Sequence, residues 1–228
     1  MSKLFYLFSL LVVLFYLNIQ KTQAEIAPDS TINLLIIKAE EMLKQEPSRA
    51  IYFANAAILE AQKLNNRALL AKSMTVMGEA YINQGDFDMG FESVINALDI
   101  SPDEDEDLKA YIYVSLSGAY NKLKDLEKAF HYIDEAIAIY QKTGDKRNLA
   151  VCYNMRGLIY ILVPDNNKAE ENFKSALSIN RELKAIKSVS ANLNNLCLYK
   201  GNTEEKIGML KEAISINDSL GAVWSLSE

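Results

Sequence analysis

Histidine, tryptophan, cysteine and proline are all scarce in this chain: one His, one Trp, two Cys and four Pro in 228 residues, with nine Gly. Each scarcity excludes something. The single His131 leaves imidazole-based zinc ligation without partners. With no Cys or Ser positioned beside it, there is no nucleophilic dyad. Set next to Phe130 in a helical stretch, it reads as a surface or seam residue. Few Pro and Gly leave few turning points, which suits long helices better than many short strands. No glycine-rich phosphate loop is present, so no enzyme, cofactor or metal site is expected.

Two apparent leads fail. Asp103-Glu104-Asp105-Glu106-Asp107 places Asp at alternate positions, as a calcium loop does. Such a loop needs Gly at its sixth position and Glu at its twelfth, and here those are Leu108 and Val114. The run reads as a solvated turn favouring the next helix N-terminus. Met74 and Met77 suggest a soft metal site, but they stand in apolar helix columns, where packing is the simpler use.

What the chain does have is apolar content: 50% of residues are hydrophobic and 24% charged, the balance of a folded protein. From Leu4 to Ile19 the sequence is almost wholly apolar, preceded by Lys3 and followed by Thr22 and Ala24. That is the pattern of a secretory signal peptide over residues 1–24, cut after Ala24. The rival is an uncleaved N-terminal anchor, although the run is short for a span of about 20 residues. No other stretch is long or apolar enough to cross a bilayer. The protein is therefore expected in the periplasm or secreted, with residues 25–30 as a linker. Loss of Lys3 and Lys21 takes the formal charge from −6 to −8. An acidic surface repels phosphate backbones, so nucleic acid is not an expected partner.

Internal repetition organises the remainder. Residues 77–98, 116–137, 156–177 and 193–214 align. One column holds Tyr81, Tyr120, Tyr160 and Cys197. Nine positions on stand Gly90, Ala129 and Ala169, with Lys206 as the exception. Seven further on, Ala97, Ala136, Ala176 and Ala213 recur without a break, and Ala50 and Ala57 keep the same gap upstream. Apolar residues fall at helical spacing on both sides of each midpoint. At the midpoint lies a pair that stops one helix and caps the next: Gly85-Asp86, Lys124-Asp125, Pro164-Asp165 and Gly201-Asn202. Glu46-Pro47 plays this part in the first copy, with Pro opening the helix. The Ala columns permit close helix approach, and a bulky replacement there costs about 1–3 kcal/mol in overpacking. In this register Cys152 and Cys197 lie about 12 Å apart along neighbouring helices. That is beyond disulfide reach, and both read as buried, reduced residues.

These columns resemble the tetratricopeptide repeat. Met77-Gly78-x-x-Tyr81, Gly85, Phe87, Ala97 and Pro102 follow that family's pattern, and Gly157, Tyr160, Ala169, Phe173 and Ala176 repeat it. The first and fifth copies depart from it, at Lys38 and Glu41 and at Asn194, Cys197 and Lys206. The resemblance implies an all-α fold: an α-solenoid of about five helix-turn-helix hairpins in a right-handed superhelix over residues 31–221. The repeats are expected at about 31–64, 71–102, 110–141, 150–181 and 187–218. Residues 222–228 read as the start of an incomplete further helix.

In that family the concave surface is built mainly by first helices and holds proteins or peptides. By resemblance the partner-binding positions here are Thr75, Glu79, Asn83, Asn121, Lys122, Asn154, Leu158, Asn195 and Tyr199. Asn can donate to and accept from a peptide backbone at once, or simply be a soluble residue on an exposed helix. Val151 and Met155 stand where basic residues would be needed to clamp a C-terminal carboxylate. The expectation is a non-enzymatic scaffold for a protein or peptide outside the cytoplasm. The alternative is an extracytoplasmic sensory module of a bacterial signalling system.

Overall fold

The computed structural model describes residues 28–163, 165–199 and 203–219. The expected leader at 1–24, Pro164, Gly201-Asn202 and the expected further helix at 222–228 lie outside the described residues. Ten helices and no strand are found among the described residues: α1 (Pro28–Met42), α2 (Pro47–Lys63), α3 (Arg67–Gln84), α4 (Phe87–Ile100), α5 (Glu106–Leu123), α6 (Leu126–Thr143), α7 (Lys146–Leu162), α8 (Asn166–Glu182), α9 (Ile186–Tyr199) and α10 (Thr203–Ser219). The fold is all-α, as the periodicity indicated, and successive helices pair as hairpins.

Local chemistry sets the helix ends. Asp86, Asp105, Asp125, Asp145 and Asp165 each accept from the backbone N–H three residues on. These bonds satisfy donors that an isolated helix start leaves orphaned. At the opposite ends Asn65, Gly85, Lys124, Gly144 and Lys184 turn left-handed, with φ between 51 and 91°. After Gly85 and Lys124, the next N–H reaches back to the carbonyls of Tyr81 and Tyr120 at 3.0 Å each, closing the last turn. Glu46 departs from expectation. Its side chain makes no capping bond and instead grips Arg49 at 2.8 Å.

The chain divides into two compact units, Met1–Pro102 and Asp103–Glu228. In the first, Ile32, Ile36, Ala50, Ala54, Ala57 and Val76 are fully or almost fully buried. Gly78 and Gly90 mark where α3 crosses α4: a Cβ on Gly78 would stand 2.7 Å from the Gly90 carbonyl oxygen. In the second unit a core cluster runs from Ala110 through Ala129, Ile133, Ala136, Ile137 and Tyr140 to Cys152 and Ile159. Ser117 Oγ donates to the Ala129 carbonyl at 2.8 Å across α5 and α6, an approach that only a small residue permits. Gly157 gives the Phe173 ring its place against α7. All eight columnar alanines are buried. Cys152 and Cys197 are free and buried.

Candidate functional site

The candidate positions all lie on first helices. In the first unit α3 carries Thr75, Glu79 and Asn83. Thr75 corrects the expectation: it is fully buried, and its hydroxyl donates to the Ala71 carbonyl one turn back at 2.9 Å. Enclosed in this way, it is unavailable to a partner. Glu79 is half-buried and Asn83 exposed. Asn83 has a structural task, because its Nδ2 donates to the Leu43 carbonyl at 2.8 Å. It thereby satisfies a group just past the end of α1 that would otherwise lack a helical partner.

In the second unit the asparagines bind one another. Asn154 Oδ1 on α7 accepts from both Asn195 Nδ2 at 2.8 Å and Asn192 Nδ2 at 3.0 Å on α9. Asn192 Oδ1 in turn accepts from Asn180 Nδ2 on α8 at 2.7 Å. Asn180 and Asn192 are nearly fully buried. This ladder joins three helices, and a satisfied polar network fixes a single register. Sequence reasoning named Asn154 and Asn195 for partner binding and missed Asn180 and Asn192. The available signal was Asn192 sitting inside the apolar run Val189, Leu193, Leu196. On α5, Asn121 is half-buried with its Oδ1 enclosed and unmatched, while Lys122 is exposed. The Tyr199 side chain lies outside the described residues.

What the ladder leaves open is apolar. On α7, Val151 and Leu158 are 48 and 39% exposed, with Leu162 in line at 38%. Their seven- and four-residue spacing puts them on one helix face. Asn154 stands between them and is held from α9. The face is therefore an apolar strip beside a hydrogen-bonded joint.

The opposite side of α7 is occupied by structural pairs. Arg156 donates to Asn172 Oδ1 and to Asp134 Oδ1, both at 2.8 Å. It borders a cavity of about 290 Å³ with Tyr153, Tyr160 and Lys168. With its guanidinium committed to α6 and α8, Arg156 acts as a tie between hairpins. Tyr120 stacks on Tyr132 at 5.6 Å between centroids, and Tyr160 packs on Phe130 at 4.7 Å, so the Tyr column serves the seams. His131 is exposed, its ring 5.1 Å from that of Tyr132. Within the acidic run, Asp105 caps α5 by accepting from the Leu108 N–H at 3.0 Å, and Glu106 pairs with Lys142 at 2.6 Å. Burial pushes the Cys152 thiol up to about 12 and raises that of Cys197, which leaves both as unreactive thiols.

Family models described as tetratricopeptide repeat match residues 71–104 and 108–182. No curated protein matches. Among solved structures, BtubC from P. vanneervenii is 22% identical with a TM-score of 0.68, over 88% of this chain and 86% of that one. Aspartyl phosphate phosphatase F from Bacillus subtilis is 16% identical with a TM-score of 0.70, over 91% of this chain and 56% of its own length. A signal transduction ATPase with numerous domains from Pyrococcus horikoshii, with a tetratricopeptide repeat sensor, is 21% identical with a TM-score of 0.66. That match covers 86% of this chain and 30% of the ATPase. At these identities the likeness is one of fold.

Proposed function

Because this chain belongs to the tetratricopeptide repeat family, we propose that it is a non-enzymatic scaffold that holds a protein segment on its first-helix face, outside the cytoplasm. One observation carries the reading. The Val151–Leu158–Leu162 strip is open, while the polar side chains beside it are already bound to one another. A partner therefore meets a preorganised surface and orders little on arrival, which lowers the cost of association. Exposed aliphatic side chains favour a segment presenting apolar residues of its own. Location outside the cytoplasm rests on the Leu4–Ile19 run and Ala24.

The test is capture of a partner by the chain and by a Val151→Glu/Leu158→Glu variant. Both positions are exposed, so the variant keeps its helicity. A partner retained by the parent and lost by the variant supports the reading. Undiminished capture by a folded variant sinks it. The three asparagines 121, 154 and 195 are unsuitable for this purpose, because two of them hold hairpins together.

The second reading is an extracytoplasmic sensory module. It draws on the fold shared with an ATPase whose repeat region is a sensor. A neighbouring gene encoding a membrane span and an output domain would favour it.

A further inference from the structure

Two successive hairpins of the second unit carry different side chains at one shared position, and the difference opens a cavity. In the α5–α6 hairpin the Tyr132 ring lies against two others. Its centroid is 5.6 Å from that of Tyr120, with the planes 4° apart, and 5.7 Å from that of Tyr113. Lys128 completes the group, its ammonium 4.9 Å from the Tyr120 centroid. The α7–α8 hairpin repeats this frame one copy on. Tyr153 stands for Tyr113, Tyr160 for Tyr120 and Lys168 for Lys128, with the Lys168 ammonium 5.4 Å from the Tyr160 centroid. The third ring has no counterpart, because Asn172 takes the place of Tyr132.

Part of that space goes to Arg156, which stands where the preceding repeat has Leu116. Its guanidinium reaches Asn172 Oδ1 at 2.8 Å and lies 5.4 Å from the Tyr153 centroid. What is left is the cavity of about 290 Å³, lined by Tyr153, Tyr160, Asn172 and both cations. A cavity of about 150 Å³ is enough for benzene, so one ring with a substituent fits. Lys168 and Glu171 belong to the lining and are exposed, so the cavity opens to solvent. The lining also selects the kind of ring. Cations are drawn to the faces of electron-rich rings, and a guanidinium stacks on them. An anion gains little here, because Arg156 is paired with Asp134 at 2.8 Å and Lys168 with Asp165 at 3.4 Å. Glu171 adds an acidic side chain to the same lining.

We propose that this cavity binds a neutral phenol ring, which takes the place that Tyr132 fills in the preceding repeat. The ring packs between Tyr160 and the Arg156 guanidinium, with Lys168 at the mouth. Its hydroxyl can donate to Asn172 Oδ1, an amide oxygen with two lone pairs of which Arg156 uses one. The cavity lies on the side of α7 away from Val151 and Leu158. Ring binding here and capture of a protein segment there therefore fail independently.

The experiment titrates the isotope-labelled full chain with para-cresol and reads the shifts by NMR. Saturable shifts in the millimolar range, appropriate to so few ligand atoms, are expected at Tyr153, Tyr160, Lys168 and Asn172. Methylcyclohexanol has a similar outline without the aromatic face and should bind several-fold more weakly; equal affinity overturns the proposal. Preference for benzoate over cresol also overturns it, in favour of an anion site, as do shifts confined to Val151, Leu158 and Leu162 or no saturable shift at all. Arg156→Leu/Asn172→Tyr copies the preceding repeat into this one, so the variant should keep its helicity and lose the cresol shifts. A folded variant that still binds refutes the site, and the methylcyclohexanol comparison decides without any variant. A blocked Gly-Tyr-Gly peptide separates the two sources of a phenol. Binding at the same residues assigns the ring to a tyrosine of a polypeptide, whereas cresol binding with the peptide excluded assigns it to a small molecule.

Discussion

Adding one methyl group to Gly78 should loosen the α3–α4 crossing, while the same methyl on Gly118 should tighten α5. In a helix interior, Gly is worse than Ala by about 1 kcal/mol, because its backbone loses more freedom on folding. That term is common to both sites. At Gly78 the new Cβ would meet Val94 Cγ2 at 2.5 Å and the Gly90 carbonyl oxygen at 2.7 Å. Val94 is β-branched and has little rotamer freedom in a helix. The carbonyl is α4 backbone, so relief requires the helices to separate. Overpacking of this kind costs up to about 3 kcal/mol, leaving Gly78→Ala about 2 kcal/mol less stable. At Gly118 the nearest atom is Met155 Cε at 3.8 Å, an ordinary contact, so Gly118→Ala should gain about 0.5–1 kcal/mol. Urea unfolding followed by circular dichroism reads both. With a slope of about 2 kcal/mol/M, the Gly78 variant's transition should move down by about 1 M. The two sites lie in different units, so each transition is compared with that of the parent. A Gly78→Ala protein as stable as the parent would refute the close crossing.

Asn154→Ala should cost about 1–3 kcal/mol, because it strands two side-chain donors on α9; an unchanged urea midpoint would show that the ladder carries no stability. The Asp125 carboxyl is held below the usual carboxylate range, first by the Lys128 backbone N–H and then by the Lys128 ammonium. A depressed folded value means stability that is present above the unfolded carboxylate value of about 4 and is lost as pH falls through the folded value. The stability difference between the parent and Asp125→Asn should therefore shrink on acidification, and a difference constant with pH would contradict the cap. Cys152, with its thiol pushed up to about 12 by burial, should resist iodoacetamide at pH 8 in the folded chain and react once unfolded; rapid labelling of the native protein would contradict its place in the core.

The parts of this structure that were legible in advance are those whose chemistry is local. Gly85-Asp86 and Lys124-Asp125 were readable as stop-and-cap pairs because a left-handed residue and a capping carboxylate act within one turn of their own position. The alanines at 57, 97, 136, 176 and 213 were readable because small size at fixed spacing has one common use in packed helices. The candidate face was harder, since it depends on how each first helix is rotated against its neighbours. Thr75 and Asn154 share a repeat position, yet Thr75 is sealed and Asn154 is tied to α9. Asn180 and Asn192 sit on different helices, and their pairing appears only when α8 and α9 are packed. Leu158 was named for the partner face by resemblance and Val151 only as a missing basic clamp, and their shared exposure is what makes them a strip.

The central claim is that first helices, not seams or second helices, hold the partner. It is tested most directly by mapping NMR chemical-shift changes on the chain as a captured partner is titrated in. The account predicts shifts concentrated at Val151, Leu158 and Leu162 on α7 and along α9, absent from the Val151→Glu/Leu158→Glu variant. Shifts confined to α6, α8 and α10, with α7 silent, would contradict it.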